Sequence, residues 1–438
     1  MRSGFTTGTC AAAAAGAAAL ACLLGEFPTV YCVLTPKGTT ARLEIHEKEI
    51  GPGYAVCGVY KDSGDDPDVT NGAWVGAAVY RKSGVTKKPV NGTQDTECVK
   101  RGMSAEFDKK RQQVLEHGYW HRTENGAWIG IAGGVGIGTV TKRGLSCPPG
   151  HAAINPVPRE MIFKEVQKSL EMCGCDQHGE EIVVEVRIPQ GVELAEKTFN
   201  PKLGIVGGIS VLGTSGVVEP MSEDALVASI QLELHIKAVE GRKFLVLTPG
   251  NYGEQFIRDE FGFSLEEAVK CSNFIGTSVK LAQKEGFLGI LLVGHLGKLI
   301  KVSLGVMNTH SKYGDRRIEG FLSAMQACGI TAENGFEDVL EKISGSNTSE
   351  EAVEALQNTG LLEPVMREIV RRIQMHLMES LKEEKEKTAP EASEKRPEAE
   401  NKQVIQIEVV TFSSVLGLVG RTEGAMQMAE KIRVQEEK

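Results

Sequence analysis

The chain has 438 residues, 41% hydrophobic and 24% charged, which is length and apolar content enough for two cores. A formal net charge of −9 argues against a protein whose main work is gripping nucleic-acid backbone, but it leaves room for a local basic pocket that takes a small anion. No run of about 18 or more strongly apolar residues stands out, which argues against a membrane span, and ten cysteines without framework spacing read as reduced thiols.

Residues 3–19, SGFTTGTCAAAAAGAAA, allow two readings. One is a secretion signal, with an early Arg2, an alanine-rich apolar stretch and Ala17-Ala18-Ala19 as a cleavage site. The other is a helix opened by a Thr/Gly turn, in which Thr6, Thr7, Gly8 and Thr9 turn backbone N–H groups and hydroxyls toward a ligand. Val30–Leu34 and Thr40–Ile45 alternate around Pro36-Lys37-Gly38 and predict a hairpin. Asp65, Asp66 and Asp68, followed by Thr70, gather three carboxylates within four residues. Such a cluster can hold Mg²⁺ or accept hydrogen bonds from ligand hydroxyls and amines; the alternative is a turn whose aspartates cap backbone N–H groups.

Ala73–Tyr80 and Ala127–Thr141 read as strands, and residues 81–125 between them as a surface insertion without a site. Gly134-Val135-Gly136-Ile137-Gly138 is no dinucleotide fingerprint, because Thr139-Val140-Thr141-Lys142 continues a strand rather than a helix. Its glycines allow backbone to approach backbone or a ligand. Asn155 precedes a helix that Pro158 opens and that runs to about Cys173; Ile182–Ile188 is a further strand. Cys173-Gly-Cys175, with His178 nearby, supplies one pair where a tetrahedral zinc site needs four ligands, so no protein-bound metal is expected.

The second half alternates apolar strands with helical periods. Ile209–Leu212, Phe244–Leu247 and Leu288–Val293 are the strands. Helices start at Ser222 and at a Ser264/Glu267 capping box, the second ending at Gly286. The pattern predicts two domains: an α+β domain over 1–200 and an α/β layered domain with a mostly parallel sheet over 201–381. Residues 382–402 read as a charged linker, 403–420 as strands returning to the α/β domain, and 421–438 as a tail.

Ligands of a parallel sheet sit beyond the C-terminal ends of its strands. Three glycine-rich loops are expected there, forming one rim: Leu212-Gly213-Thr214-Ser215-Gly216, then Thr248 to Glu254 with Asn251 and Gly253, then Gly294 to Lys301. His295 and His310 are the candidate catalytic groups, and Lys298, Lys301 and Thr309 the candidate binding groups beside them. Lysines near a helix start are poor dipole partners unless an anion docks there; the alternative is two solvated lysines and a packing histidine.

SGFTTGTCAAAAAGAAAL, KDSGDDPDVTNGA, GVGIGTVTKRGL, HAAINPVPREMI, GGISVLGTSGVVEPMS, LTPGNYGE and GHLGKLIKVSLGVMNTHS occur in that order. Together they resemble the CbiD-type cobalt-precorrin-5B C-1 methyltransferases, from Arg2 to about Gly329 with a weaker echo in Val404–Gly417. Residues 81–125 and 382–402 depart from the family pattern without interrupting a motif. The resemblance places TTGTC in the mature protein, which removes the secretion reading and implies a cytoplasmic enzyme.

The resemblance also implies methylation at C-1 by S-adenosylmethionine as co-substrate, giving cobalt-precorrin-6A in anaerobic cobalamin biosynthesis. The cobalt arrives with the small-molecule corrinoid substrate. No nucleic-acid or membrane partner is implied, contact with neighbouring pathway enzymes would be transient, and the oligomeric state is open. On this reading His295, Lys298 and Lys301 face the carboxylate arms of the corrin. Two alternatives stand beside it: a corrinoid carrier without chemistry, and a phosphate-handling transferase built on Gly213–Gly216.

Overall fold

The computed structural model describes residues 1–82, 96–250, 258, 260–262, 268–387 and 405–436, and it divides into two units, Met1–Ser222 and Glu223–Lys438.

The first unit is built around the helix Thr7–Leu24. This helix has no charged residue, and a helix that is apolar all round must be enclosed. By length and composition it passes as a membrane-crossing segment, so composition excludes less than expected; 94% of it is buried within the protein. Alanines and Gly16 keep its surface shallow. The helix Pro156–Met172 and the strands Tyr54–Tyr60 and Trp74–Arg81 therefore pack closely against it. At Gly16 the Tyr31 ring lies where a side chain would begin: a Cβ there would stand 2.4 Å from the tyrosine oxygen. Tyr31 in turn donates to Glu165, and the Ser169 hydroxyl donates to the Gly16 carbonyl at 3.1 Å.

The expected hairpin forms from Val30–Leu34 and Thr40–Glu44. A six-stranded sheet carries, in spatial order, His46–Gly51, Tyr54–Tyr60, Trp74–Arg81, Glu181–Arg187, Trp128–Gly133 and Tyr119–Arg122. Val184 pairs with Val79 antiparallel and with Ile131 parallel. The strand expected over Ala127–Thr141 stops at Gly133; a turn over the glycines precedes the short strand Thr139–Val140. There the Gly136 carbonyl accepts from the Ile209 amide at 3.0 Å, so backbone meets backbone.

The described part of residues 81–125 is not a surface excursion. Their Tyr119–Arg122 forms the edge strand, and the helix Thr96–His117 lays buried Phe107 and Val114 on the sheet. Its polar residues conceal this role, since Lys110 and Arg111 pair with Glu185 and Glu181 of the strand beneath. The part at 83–95 lies outside the described residues.

The unit boundary falls after Ser222 rather than at 200/201. Ile205–Val206 pairs with Thr139–Val140, Val211 bridges Ile154, and Val217–Val218 pairs with Gly4–Phe5. Ile209–Leu212 thus completes the first unit instead of opening a parallel sheet.

The second unit is an α/β layer. Its sheet runs Val269–Lys270, Phe244–Thr248, Gly289–His295, Gln406–Ser413 and Gly417–Arg421, the first four parallel and the last antiparallel. Both faces are buried. Ile290, Leu292, Ile407 and Val409 face one core, and Leu291, Val293, Val410 and Phe412 face the other, as the two-residue period requires. Phe244–Thr248 is followed in the chain by its neighbour on one side, then by Gly289–His295 on its other side. The strand order therefore reverses between these two strands, which makes their C-terminal ends a switch point.

Ser264 and Glu267 lie outside the described residues; the helix expected to follow them begins at Ile275, after the short strand Val269–Lys270. The charged run expected as linker from 382 is helical through Lys387, in the helix Leu362–Lys387, and 388–402 lies outside the described residues. Lysine and glutamate are good helix formers, so charge alone did not end the helix. The expected tail contains the helix Ala425–Glu436, which buries Ala425, Met428, Ala429 and Ile432.

Gly16→Ala tests the packing of the first helix. Ala is favoured over Gly inside a helix by up to about 1 kcal/mol, so without the tyrosine the change would stabilise. Against the Tyr31 ring it is expected to cost about 1–3 kcal/mol instead, read as a lower midpoint of urea unfolding.

Candidate functional site

At the switch point a cavity of about 640 Å³ opens among the loops that follow the parallel strands. Thr248, Pro249 and Gly250 come from the end of one strand, and Gly294, His295, Gly297, Lys298 and Lys301 from the end of the next. Ser414 follows the Gln406–Ser413 strand, and Asn273 follows Val269–Lys270. Thr309, His310, Ser311, Asp315, Arg317, Ser349 and Glu350 complete the lining. Two of the three expected loops therefore share this rim. Asn251 and Gly253 of the second loop lie outside the described residues.

The two histidines are held as helix caps. His295 precedes the short helix Leu296–Val302, and its Nδ1 accepts from the Gly297 amide at 3.2 Å. An amide can only donate, so the ring carries its hydrogen on Nε2. Nε2 lies 3.0 Å from Glu350 Oε1 and 3.2 Å from Ser414 Oγ, with Phe412 edge-on to the ring. His310 repeats the arrangement: its Nδ1 accepts from the Lys312 amide at 3.1 Å. In this tautomer the Nδ1 lone pair of each ring is engaged by a cap bond. The Gly297 amide is occupied by the bond to His295.

The two lysines differ from the surface type. Lys298 Nζ donates to the Pro249 carbonyl at 3.1 Å, and Lys301 Nζ lies 3.4 Å from the Thr309 carbonyl. Neither has a carboxylate partner among the described residues. Lys301 is buried, and Lys298 is half-buried; burial pulls the Lys298 ammonium below its usual value, and nearby Lys301 pulls the same way. Asp315 and Arg317, by contrast, form an ion pair, and the arginine holds the Asp315 carboxyl below its ordinary range. Glu350 sits in the first turn of the helix Ser349–Asn358, accepts from the Ser349 hydroxyl at 3.0 Å and lies 3.0 Å from His295 Nε2.

Glu350, Ser414, Asn273, Asp315 and Arg317 were not among the expected site residues. Ser414 is more than a hundred residues from His295 in sequence, and only the parallel pairing of His295 with Phe412 brings it near. Glu350 reads in sequence as an ordinary acidic residue at a helix start. No local signal marks either.

The remaining expected residues lie in the first unit. Thr6 caps the first helix by accepting from the Thr9 amide at 3.3 Å. The Gly8 amide donates to the Leu212 carbonyl, and the Thr9 hydroxyl to the Gly216 carbonyl. Thr7 exchanges hydrogen bonds with the Leu212 backbone. Thr6, Thr7, Gly8 and Thr9 thus use Gly213–Gly216 and its flanks as their acceptors, not a ligand. Gly213 has φ 133°, and a Cβ there would meet Thr6 Oγ1 at 2.3 Å. Ser215 bonds to Val217 next to it, and Thr214 belongs to the same turn. Asn155 occupies the cap position of Pro156–Met172 without a capping bond from its side chain.

The acidic turn is a clamp. Asp65 accepts from the Arg2 amide and Asp66 from the Met221 amide. Asp68 accepts from buried Lys61 at 2.7 Å and from the amide and hydroxyl of Thr70. Burial works to raise the Asp68 carboxyl, but the Lys61 and Thr70 hydrogen bonds outweigh it and leave it below its ordinary value.

The chain matches the family model CbiD over residues 1–110 and 108–220, and the model CbiD, C-terminal domain, over residues 308–423. Relatives named cobalt-precorrin-5B C(1)-methyltransferase are similar over most of their length. That of Ruminiclostridium cellulolyticum is 38% identical, covering 86% of this chain and 85% of the relative. That of Clostridioides difficile strain 630 is 36% identical over 98% and 96%. That of Citrobacter koseri is 34% identical over 87% and 86%. A crystal structure of the cobalamin biosynthesis protein (cbiD) from Archaeoglobus fulgidus is 25% identical, covering 72% of this chain and 84% of that one; its TM-score of 0.34 carries no argument about the fold.

Asp68→Asn tests the clamp. It leaves the Lys61 ammonium buried without its carboxylate, and the expected loss is on the order of 3 kcal/mol in urea unfolding at neutral pH. The folded-state value is lowered, so the wild-type carboxylate stabilises fully above the usual carboxylate range. That contribution disappears as pH falls through the lowered value. The wild-type and variant stability curves should therefore converge in acid.

Proposed function

Because the chain belongs to the CbiD family, we propose that it catalyses methylation of cobalt-precorrin-5B at C-1, a step of cobalamin biosynthesis, with S-adenosylmethionine as methyl donor. The observation that carries this is similarity to named methyltransferases through both units, together with a cavity at the switch point of the second. The carrier reading and the phosphate-transfer reading are not favoured. In the Gly213–Gly216 region, on which the latter would rest, the Gly216 carbonyl accepts from the Thr6 amide and the Thr9 hydroxyl.

A bound sulfonium supplies an electrophilic methyl group, and the ring carbon of the corrinoid is the nucleophile, so no covalent enzyme intermediate is required. What remains for the protein is to align the reactants and exclude water, which together lower a barrier by several kcal/mol. The cavity residues suit a donor that carries both signs of charge, since Lys298 and Lys301, without carboxylate partners among the described residues, share it with Glu350. Asn273, Thr248, Thr309 and Ser311 add neutral polar groups. The cobalt belongs to the substrate.

We place the reaction in the cytoplasm, with the alanine-rich helix retained. That helix is the centre of the first unit's core, and its loss would leave the surrounding strands without a partner.

Anaerobic incubation of the purified protein with cobalt-precorrin-5B and S-adenosylmethionine should add one methyl group at C-1. The product mass should rise by that of one methyl in place of one hydrogen, and labelled donor should pass its methyl to the corrinoid. An unchanged product mass with substrate of proven competence would reject the reading.

A further inference from the structure

The cavity of the second unit combines three features that bear on which reactant it holds. Its volume, about 640 Å³, is that of a pocket for one nucleoside-sized ligand. A corrin macrocycle with acetate and propionate arms around its whole rim is too large to be enclosed there. Next, its charges are mixed. Lys298 and Lys301 have only backbone carbonyls as hydrogen-bond partners among the described residues, and the carboxylate of Glu350 lines the same space beside the Asp315–Arg317 pair. A polyanion would gain from the lysines and be repelled by Glu350, whereas an amino-acid zwitterion meets both. Finally, Glu350 is held in place. His295, whose Nδ1 caps the Gly297 amide and whose Nε2 hydrogen-bonds Ser414 Oγ, stands with Nε2 3.0 Å from Glu350 Oε1, while Ser349 donates to the other oxygen. Such a carboxylate loses little freedom on accepting a cation.

We infer that this cavity binds the amino-acid end of S-adenosylmethionine, with Lys298 and Lys301 on its α-carboxylate and Glu350 on its α-ammonium, and that His295 is a positioning residue for Glu350. The inference rests on the methyltransferase reading and deepens it, because it assigns the donor, and not the carboxylate arms of the corrin, to the lysines. The sequence led to the opposite expectation for His295, Lys298 and Lys301, since the carboxylates beside them were not visible. Charge-assisted contacts of this kind, partly desolvated, correspond to roughly ten- to a hundredfold in affinity each.

The test is equilibrium binding by calorimetry with the full chain. The ligands are S-adenosylmethionine, its decarboxylated analogue and 5′-methylthioadenosine, which lacks the amino-acid end. Wild type should bind S-adenosylmethionine at least tenfold more tightly than the decarboxylated compound. Lys298→Met, which keeps the aliphatic packing, should weaken S-adenosylmethionine roughly ten- to a hundredfold and abolish that preference, leaving methylthioadenosine unchanged. Glu350→Gln should weaken S-adenosylmethionine and the decarboxylated analogue alike. His295→Asn retains an acceptor for the Gly297 amide, so its thermal midpoint should stay near wild type, while its donor affinity falls several-fold. Wild-type donor affinity in Lys298→Met, accompanied by a raised KM for the corrinoid, would overturn the inference and leave the methyltransferase reading intact. Absence of any S-adenosylmethionine binding by the wild-type protein, with no methyl transfer, would overturn both.

Discussion

A backbone amide taken out of water must find an acceptor, and the decisive parts of both units are helix starts that have found one. In the first unit the Gly8, Thr9 and Cys10 amides are used by Leu212, the Thr6 hydroxyl and the Thr6 carbonyl. The TTGTC segment and the LGTSG segment are therefore two halves of one joint, which ties the start of the chain to its neighbour more than 200 positions later. In the second unit the same requirement is met by imidazoles: His295 serves the Gly297 amide and His310 the Lys312 amide. A group spent on a cap is not free for chemistry on the same atom. That accounting makes Thr6–Thr9 contacts of the fold and leaves His295 Nε2 as its donor, toward Ser414.

Charge is distributed between the units in a way that follows from what each has to hold. The first unit pairs its interior charges: Lys61 with Asp68, Arg81 with Glu180, and Lys110 with Glu185. Such pairs gain little net stability but are costly to break, and they hold the acidic turn and the Thr96–His117 helix in one position. The second unit pairs Asp315 with Arg317 but leaves Lys298 and Lys301 without an ion pair among the described residues. A half-buried ammonium held only by a carbonyl is poorly solvated, which the downward pull on Lys298 registers. An anion arriving there restores what burial removed. The location agrees with the sheet topology, since parallel strands separate at a switch point and leave room where the carboxyl ends of neighbouring strands diverge.

Much of this was legible in sequence, and the particular failures share one cause. Period and composition were enough for the hairpin at 30–44, the strands at Phe244 and Leu288, and the mostly parallel second sheet, because those properties depend on residues close together in the chain. The motif order likewise placed TTGTC inside the folded protein. What sequence could not determine was the partner of each polar group. Residues 81–125 looked like surface because their lysines and arginines were seen without Glu185 and Glu181 beneath them. The Gly213 loop looked like a sheet-edge loop because nothing local reveals that Val217 pairs with Phe5. Glu350 and Ser414 reached His295 only through helix packing and parallel pairing over long separations. Local patterning determines which elements form, since helix and strand periods are short-range. Only the tertiary structure decides which charges and hydrogen-bonding groups remain uncommitted, since that depends on what long-range contact brings within about 3 Å.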